Sequence, residues 1–251
     1  MQIDPIYLLQ PAAAFALSLG VLVYWRNRNG FRGIVFLLSF GAYWLAIALK
    51  EVVQYATYDK VVATLGYASI GTGLYFGLQT AFFAVGIAYL LARYAVRSRD
   101  ATARDAVAYG IGLSFWENGV LLGCLALFDL AVIYLVLSMG GSLAATVASQ
   151  LPSAYFASGT VALQNVALGT LERVSSMMVH VAWGLLCVLS AATGKKRFLA
   201  VALPMGLIDA AVPFAGQVST EVFEAALFSV SLVCMGVAWR ALRSNGRWEV
   251  R

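Results

Sequence analysis

The chain has 251 residues, of which 61% are apolar and 12% charged, with 17 Lys and Arg against 12 Asp and Glu for a net charge of +5. Soluble domains are about a quarter charged, so a water-soluble fold is excluded, and the long unbroken apolar runs lack the alternation that a membrane β-barrel needs. What remains is an all-α, polytopic transmembrane bundle of about seven spans, because in hydrocarbon each backbone amide must find its partner without water.

The first three spans are expected from Leu8 to Trp25, from Phe31 to about Val53 near Lys50 and Glu51, and from Gly66 to Ala92. The first has no basic residue before it, whereas Arg26, Arg28 and Arg32 follow it. That is the reverse of a cleavable signal peptide, so it is expected to stay as a helix. A fourth run, Ala106 to Met139, would be about 50 Å long as a helix, more than one crossing. It is expected to leave the membrane near Leu127, then to continue as an outer helix or bend back.

Residues 140–169 carry no charge, are rich in Gly, Ser, Ala and Thr, and contain Pro152; they read as a long outer loop, either a lid or a re-entrant segment. Leu171 to Thr193, Phe198 to Phe214 and Val222 to Trp239 complete the seven, before a basic tail over 240–251. The organisation is one transmembrane domain over 1–251, with three spans in 1–100 and the site-bearing helices in 104–216.

Placing the ends at Arg26, Arg93, Lys195 and Arg240 in the cytoplasm puts 14 of the 17 Lys and Arg inside and leaves Lys50, Lys60 and Arg173 outside. Positive residues favour the cytoplasmic side. The protein is therefore expected to be a multi-pass protein of the cell membrane with its amino terminus outside and its carboxyl terminus in the cytoplasm. The same short basic groups between spans fit topology and not a nucleic-acid partner. Cys124, Cys187 and Cys234 lie singly in apolar runs, so neither a disulfide framework nor a zinc knuckle is implied.

Ionisable groups inside a span cost about 2.5 to 3.5 kcal/mol on insertion scales and mark candidate sites. Glu117 lies 13 residues from Arg104, His180 lies 15 from Lys195, and Asp209 lies 12 from Arg197. At 1.5 Å per residue all three fall in one layer, about 18 to 22 Å from the basic ends. Gln79, 14 residues before Arg93, falls at the same depth. Gly110 and Ser114 precede Glu117, and Ser176 and Gly184 flank His180 at four residues either side, small neighbours that let helices approach. Pro204, five residues before Asp209, should weaken its helix just below the layer. The alternative role for these groups is polar glue between helices. Glu172-Arg173 and Lys50-Glu51, near outer helix ends, read as interfacial ion pairs.

The segment Tyr109-Gly-Ile-Gly-Leu-Ser-Phe-Trp-Glu117-Asn118, then Glu172-Arg173 with His180 eight positions after the Glu, then Met205-Gly-Leu-Ile-Asp209, resembles the YhfC family of intramembrane metalloproteases. These are distant relatives of the PrsW and CAAX-type membrane peptidases. The resemblance covers Ala106 to Phe214 and carries over to Glu117, Glu172, Arg173, His180 and Asp209. Leu113 and Met205 stand where the family has two further histidines, and His180 is the sole histidine of the chain. A hydrolytic zinc normally takes three protein ligands, commonly two or three of them His, so no tightly bound zinc is expected. The resemblance to CAAX-type peptidases implies instead a water activated by Glu117, with His180 or Asn118 donating to the oxyanion.

Three functions follow. The first is an intramembrane peptidase-like hydrolase using Glu117, His180 and Asp209, with Asn118, Gln79, Glu172 and Arg173 as binding residues. The second is a degenerate relative that binds a membrane protein or lipidated peptide without cleaving it. The third, a proton-coupled carrier, is disfavoured by an odd number of spans and no visible inverted repeat. Neither substrate nor oligomeric state is set by the sequence.

A reporter fused after Arg251 is expected to be cytoplasmic. An extracytoplasmic reporter would reverse the orientation.

Overall fold

The computed structural model describes residues 3–97 and 102–244; Arg99 and residues 245–251 of the basic tail lie outside that part. Every described element is helical. In chain order they are α1 (Pro5–Asn29), α2 (Gly33–Leu65), α3 (Ile70–Val96), α4 (Ala103–Met139), the short α5 (Gly141–Gln150), α6 (Gly159–Thr193), α7 (Lys196–Phe214) and α8 (Thr220–Arg243). All but α5 are long and apolar enough to cross a bilayer, so the seven expected spans are present. Their outer faces are apolar, with Leu37, Val52, Phe82 and Leu135 more than half exposed. A water-soluble protein does not present so much apolar surface on all sides; this is a membrane protein.

The bundle is built around α6. In its most apolar stretch 78% of residues are buried, against at most 39% in any other span. It packs on α1, α3, α4, α7 and α8, and Leu185, Leu186 and Leu189 along it are fully buried. The closest approach is to α4. A Cβ built on Gly110 would lie 2.5 Å from the Val181 carbonyl oxygen, and one on Gly184 would lie 2.6 Å from the Gly110 Cα. With little hydrophobic driving force between helices in lipid, such backbone contact is what packs them.

Besides the 3-10 turn Pro5–Leu8 that opens α1, local deviations from α geometry fall in three spans. Thr80–Val85 in α3 and Phe115–Leu125 in α4 are π-helical, and α7 tightens into a 3-10 helix at Gly206–Phe214. The last follows Pro204, which has no N–H to give and whose ring crowds the carbonyl four residues back. At the basic end, Arg32 pairs with Asp105 at 3.0 Å, and Asp105 closes a capping box with Thr102.

Two segments differ from the sequence reading. Residues 140–169 are not an extended loop: α5 and the first turns of α6 occupy most of them, separated by a 3-10 turn at Ser153–Phe156. The charge-free Ala-rich stretch forms helix, and Gly140, Gly141 and Gly159 supply the positive φ at its breaks. Tyr7 ties this cap to α1, donating to the Ala154 carbonyl at 2.6 Å and accepting from Asn165 at 3.1 Å. The second difference is α2, which continues to Leu65, so Lys50 sits near its middle rather than at its end.

Gly110→Ala is expected to lower the thermal unfolding midpoint in detergent by several degrees, since overpacking costs about 1 to 3 kcal/mol. Gly20→Ala, where a Cβ meets nothing within 4 Å, should leave it unchanged. Equal midpoints for the two variants would contradict the close crossing.

Candidate functional site

A cavity of about 390 Å³ opens between α2, α3, α4, α6, α7 and α8. Its walls are apolar where Ile47, Leu121, Ile208 and Leu227 contribute, and they carry seven ionisable side chains: Lys50, Glu117, Glu172, Arg173, His180, Asp209 and Glu224. The three site residues expected from depth, Glu117, His180 and Asp209, are thus brought to one cavity from three helices.

Glu117 and His180 meet directly, with Nε2 of the imidazole 2.6 Å from Oε2 of the carboxylate. The α4–α6 crossing at Gly110 and Gly184 explains the meeting: Glu117 is two turns beyond Gly110 and His180 one turn before Gly184, in helices running oppositely. The ring is held at its other nitrogen, where Nδ1 lies 2.9 Å from the Ser176 carbonyl oxygen, and it packs on Trp183 with centroids 4.1 Å apart. The carboxylate is held too. Asn118 Nδ2 donates to Ser176 Oγ at 3.2 Å, and Ser176 Oγ donates to Glu117 Oε1 at 3.1 Å. Glu117 keeps 20% of its side-chain surface open, enough to be reached from the cavity.

A carbonyl oxygen only accepts, so His180 Nδ1 carries a hydrogen. Nε2 then either donates to an ionised Glu117 or accepts from a protonated one. In both cases the pair shares one proton beyond a bare carboxylate and a neutral imidazole.

Asp209, in the 3-10 stretch of α7, accepts from Lys50 Nζ at 3.3 Å and from the Thr80 hydroxyl, while Lys50 also donates to Thr80 Oγ1 at 2.8 Å. Lys50 is therefore a site residue and not an interfacial partner of Glu51, which is exposed. Its position in the sequence, beside another charge and after an apolar run, imitates a span end. Glu172 and Arg173 do bond each other as expected, but on the cavity wall.

Two candidates lie elsewhere. Gln79 has the right depth and the wrong face: its Oε1 accepts from Gln54 Nε2 at 3.1 Å, and its neighbour Thr80 lines the cavity instead. Asn118 is fully buried behind Ser176, with its amide also near the Ser114 carbonyl at 3.4 Å, and it does not line the cavity. It orients Glu117 through Ser176 rather than facing a ligand. Conversely, Tyr43 and Glu224 line the cavity without having been singled out. The first reads as an interface aromatic, the second as an acid near a helix start, where the dipole alone accounts for it.

No curated protein and no solved structure matches the chain at a significant level. A family match does exist and spans residues 13–226, taking in Lys50, Glu117, Glu172, Arg173, His180, Asp209 and Glu224 of the cavity wall and ending in the first turns of α8. Over that length, the chain belongs to the YhfC intramembrane metalloprotease family.

Proposed function

We propose that the chain is a metal-independent intramembrane peptidase of the cell membrane, hydrolysing a peptide bond of a membrane protein or lipidated peptide. The observation that carries this reading is the 2.6 Å contact of Glu117 with His180 on the wall of a cavity at membrane depth. A carboxylate sharing a proton with an imidazole can take a proton from water and return one to a leaving amine, the two transfers that amide hydrolysis requires.

In the proposed reaction, water enters beside Glu117, its oxygen attacks the carbonyl carbon, and its proton passes to the carboxylate. Collapse of the tetrahedral adduct breaks the C–N bond, and the same proton goes to the departing nitrogen. The oxyanion formed in between needs a donor. His180 serves through its Nε2 hydrogen, and Lys50 is the cation most free to help, since its 3.3 Å bond to Asp209 is longer than the Glu117–His180 contact.

The residues present do not suit the metal of the family's description. Among the described residues no three His, Cys, Asp or Glu side chains gather around a point. Leu113 and Met205 occupy two family histidine positions and are buried among apolar neighbours. Asp209 is engaged by Lys50, and Glu117 and His180 are bonded to each other. A catalytic zinc needs three protein ligands and an open position. Elemental analysis of purified protein should find far less than one zinc per chain, and EDTA should leave the thermal midpoint unchanged. One tightly held zinc per chain would overturn the metal-independent reading.

The same lost donors favour a second reading, a relative that binds such a peptide without turnover. Glu117→Gln separates the two. It keeps the size and hydrogen bonding of the side chain but cannot take a proton, so cleavage should fall at least about a hundredfold. Interhelical hydrogen bonds in membranes average only about 0.6 kcal/mol, so the thermal midpoint should barely move. His180→Ala should lose cleavage as well. Full cleavage by Glu117→Gln would remove Glu117 as the base, and binding by a wild type that cleaves nothing would favour the second reading.

A further inference from the structure

Among the ionisable groups of the cavity, each but one has a partner of opposite charge. Lys50 meets Asp209, Arg173 meets Glu172, and His180 meets Glu117. Four carboxylates thus face three bases, and the one left over is Glu224 of α8. Its residue is 95% buried, being only 5% exposed, and its Oε2 is enclosed without a hydrogen-bond partner among the described residues. An unpaired carboxylate oxygen in a helix that crosses a membrane is costly.

The surroundings show from where a partner would come. A second cavity of about 540 Å³, lined only by apolar side chains and Pro204, runs between α7 and α8. It shares Ile208, Ala211, Phe223 and Leu227 with the charged cavity. Glu224 lines the charged cavity, and Phe223 and Leu227 on either side of it in α8 line both, so the carboxylate stands beside the junction of the two. Tyr43, on the α2 side of the chamber, presents a buried hydroxyl that likewise has no hydrogen-bond partner among the described residues.

We propose that Glu224 recognises a positive charge on the substrate, and that this substrate is an apolar peptide segment carrying a lysine, arginine or terminal ammonium. The peptide nature of the ligand rests on the peptidase reading above; the positive charge rests on Glu224 alone. The apolar part lies in the α7–α8 groove, the cation reaches Glu224, and the neighbouring backbone is left within the chamber of Glu117 and His180. A lysine in a membrane segment is itself poorly solvated, so pairing with Glu224 relieves both groups at once.

The test uses the full chain in lipid nanodiscs and a fluorescent Leu–Ala peptide of about 20 residues, long enough to span, with one central lysine or with norleucine in its place. The wild type should bind the lysine peptide at least about tenfold more tightly, the low end for a charge-assisted hydrogen bond. In Glu224→Gln the two affinities should come within about twofold of each other. Equal affinities in the wild type, or a lysine preference that survives in Glu224→Gln, would overturn the assignment. Should that variant fail to fold, the wild type alone decides through its thermal midpoint: n-hexylammonium should raise it more than 1-hexanol does, and equal shifts would count against Glu224. A wild type that prefers the lysine peptide yet cleaves neither would support Glu224 while removing the peptidase reading.

Discussion

The backbone contact between α4 and α6 is the constraint on which the site depends. Gly110 and Gly184 bring the two helices so close that a single Cβ at either would strike the other's main chain. From that crossing the helices run on in opposite directions, with Glu117 two turns along α4 and His180 one turn back along α6. With larger residues at the crossing the axes would separate, and a 2.6 Å contact between a short carboxylate and an imidazole would be out of reach. The π-helical stretch that begins at Phe115 then carries the rest of α4 toward α1, where Gly123 meets Phe15. The geometry of the Glu117–His180 pair and the packing of the bundle are thus one feature, and π segments often occur where helices bear function.

A second constraint follows from the solvent. Charges within the bilayer persist when they are paired or face a polar cavity, and six of the seven ionisable groups here obey the first condition. In a metal centre the cation itself would offset the carboxylates. This chain has apolar Leu113 and Met205 where two ligands would stand, so the compensation comes from side chains: Lys50 on α2 for Asp209, and His180 for Glu117. Lys50 reaches Asp209 across 159 positions of sequence, which no local motif encodes.

That explains what was legible and what was not. Depth along a helix can be counted from a basic terminus, so the layer of Glu117, His180 and Asp209 was visible, and so were the seven spans, because length and hydropathy are local properties. Facing is harder to read. Gln79 and Thr80 differ by one residue and about 100° of rotation, and the side chain that reaches the cavity is the less polar of the two. Lys50 was hidden by the reverse error: a charge near the twentieth apolar residue signals the end of a span, but α2 has 33 residues and places that charge midway. Glu224 sits four residues into its helix, where an acid is ordinary, and only the closure of α8 over α6 turns it inward. The 140–169 segment misled because small residues without charge suit a loop and a membrane-type helix equally well.

In the proposed metal-independent reaction, the salt bridges set what hydrolysis demands of the site. A metal ion carries surplus positive charge to meet an oxyanion, whereas this cavity holds one carboxylate more than its bases can match. A tetrahedral adduct moves a negative charge from Glu117, which takes the proton of water, to the oxyanion. A base already in use can turn from its carboxylate to that oxyanion, or the substrate can bring a cation of its own. The first route favours Lys50, whose companion Thr80 can keep Asp209 hydrogen-bonded when the ammonium moves. The second favours Glu224, because a cation arriving there neutralises the surplus before the reaction begins. In a medium that screens charge poorly, a substrate that corrects the balance of the cavity is bound and prepared by the same interaction, and one that does not meets a site whose charges are already engaged with one another.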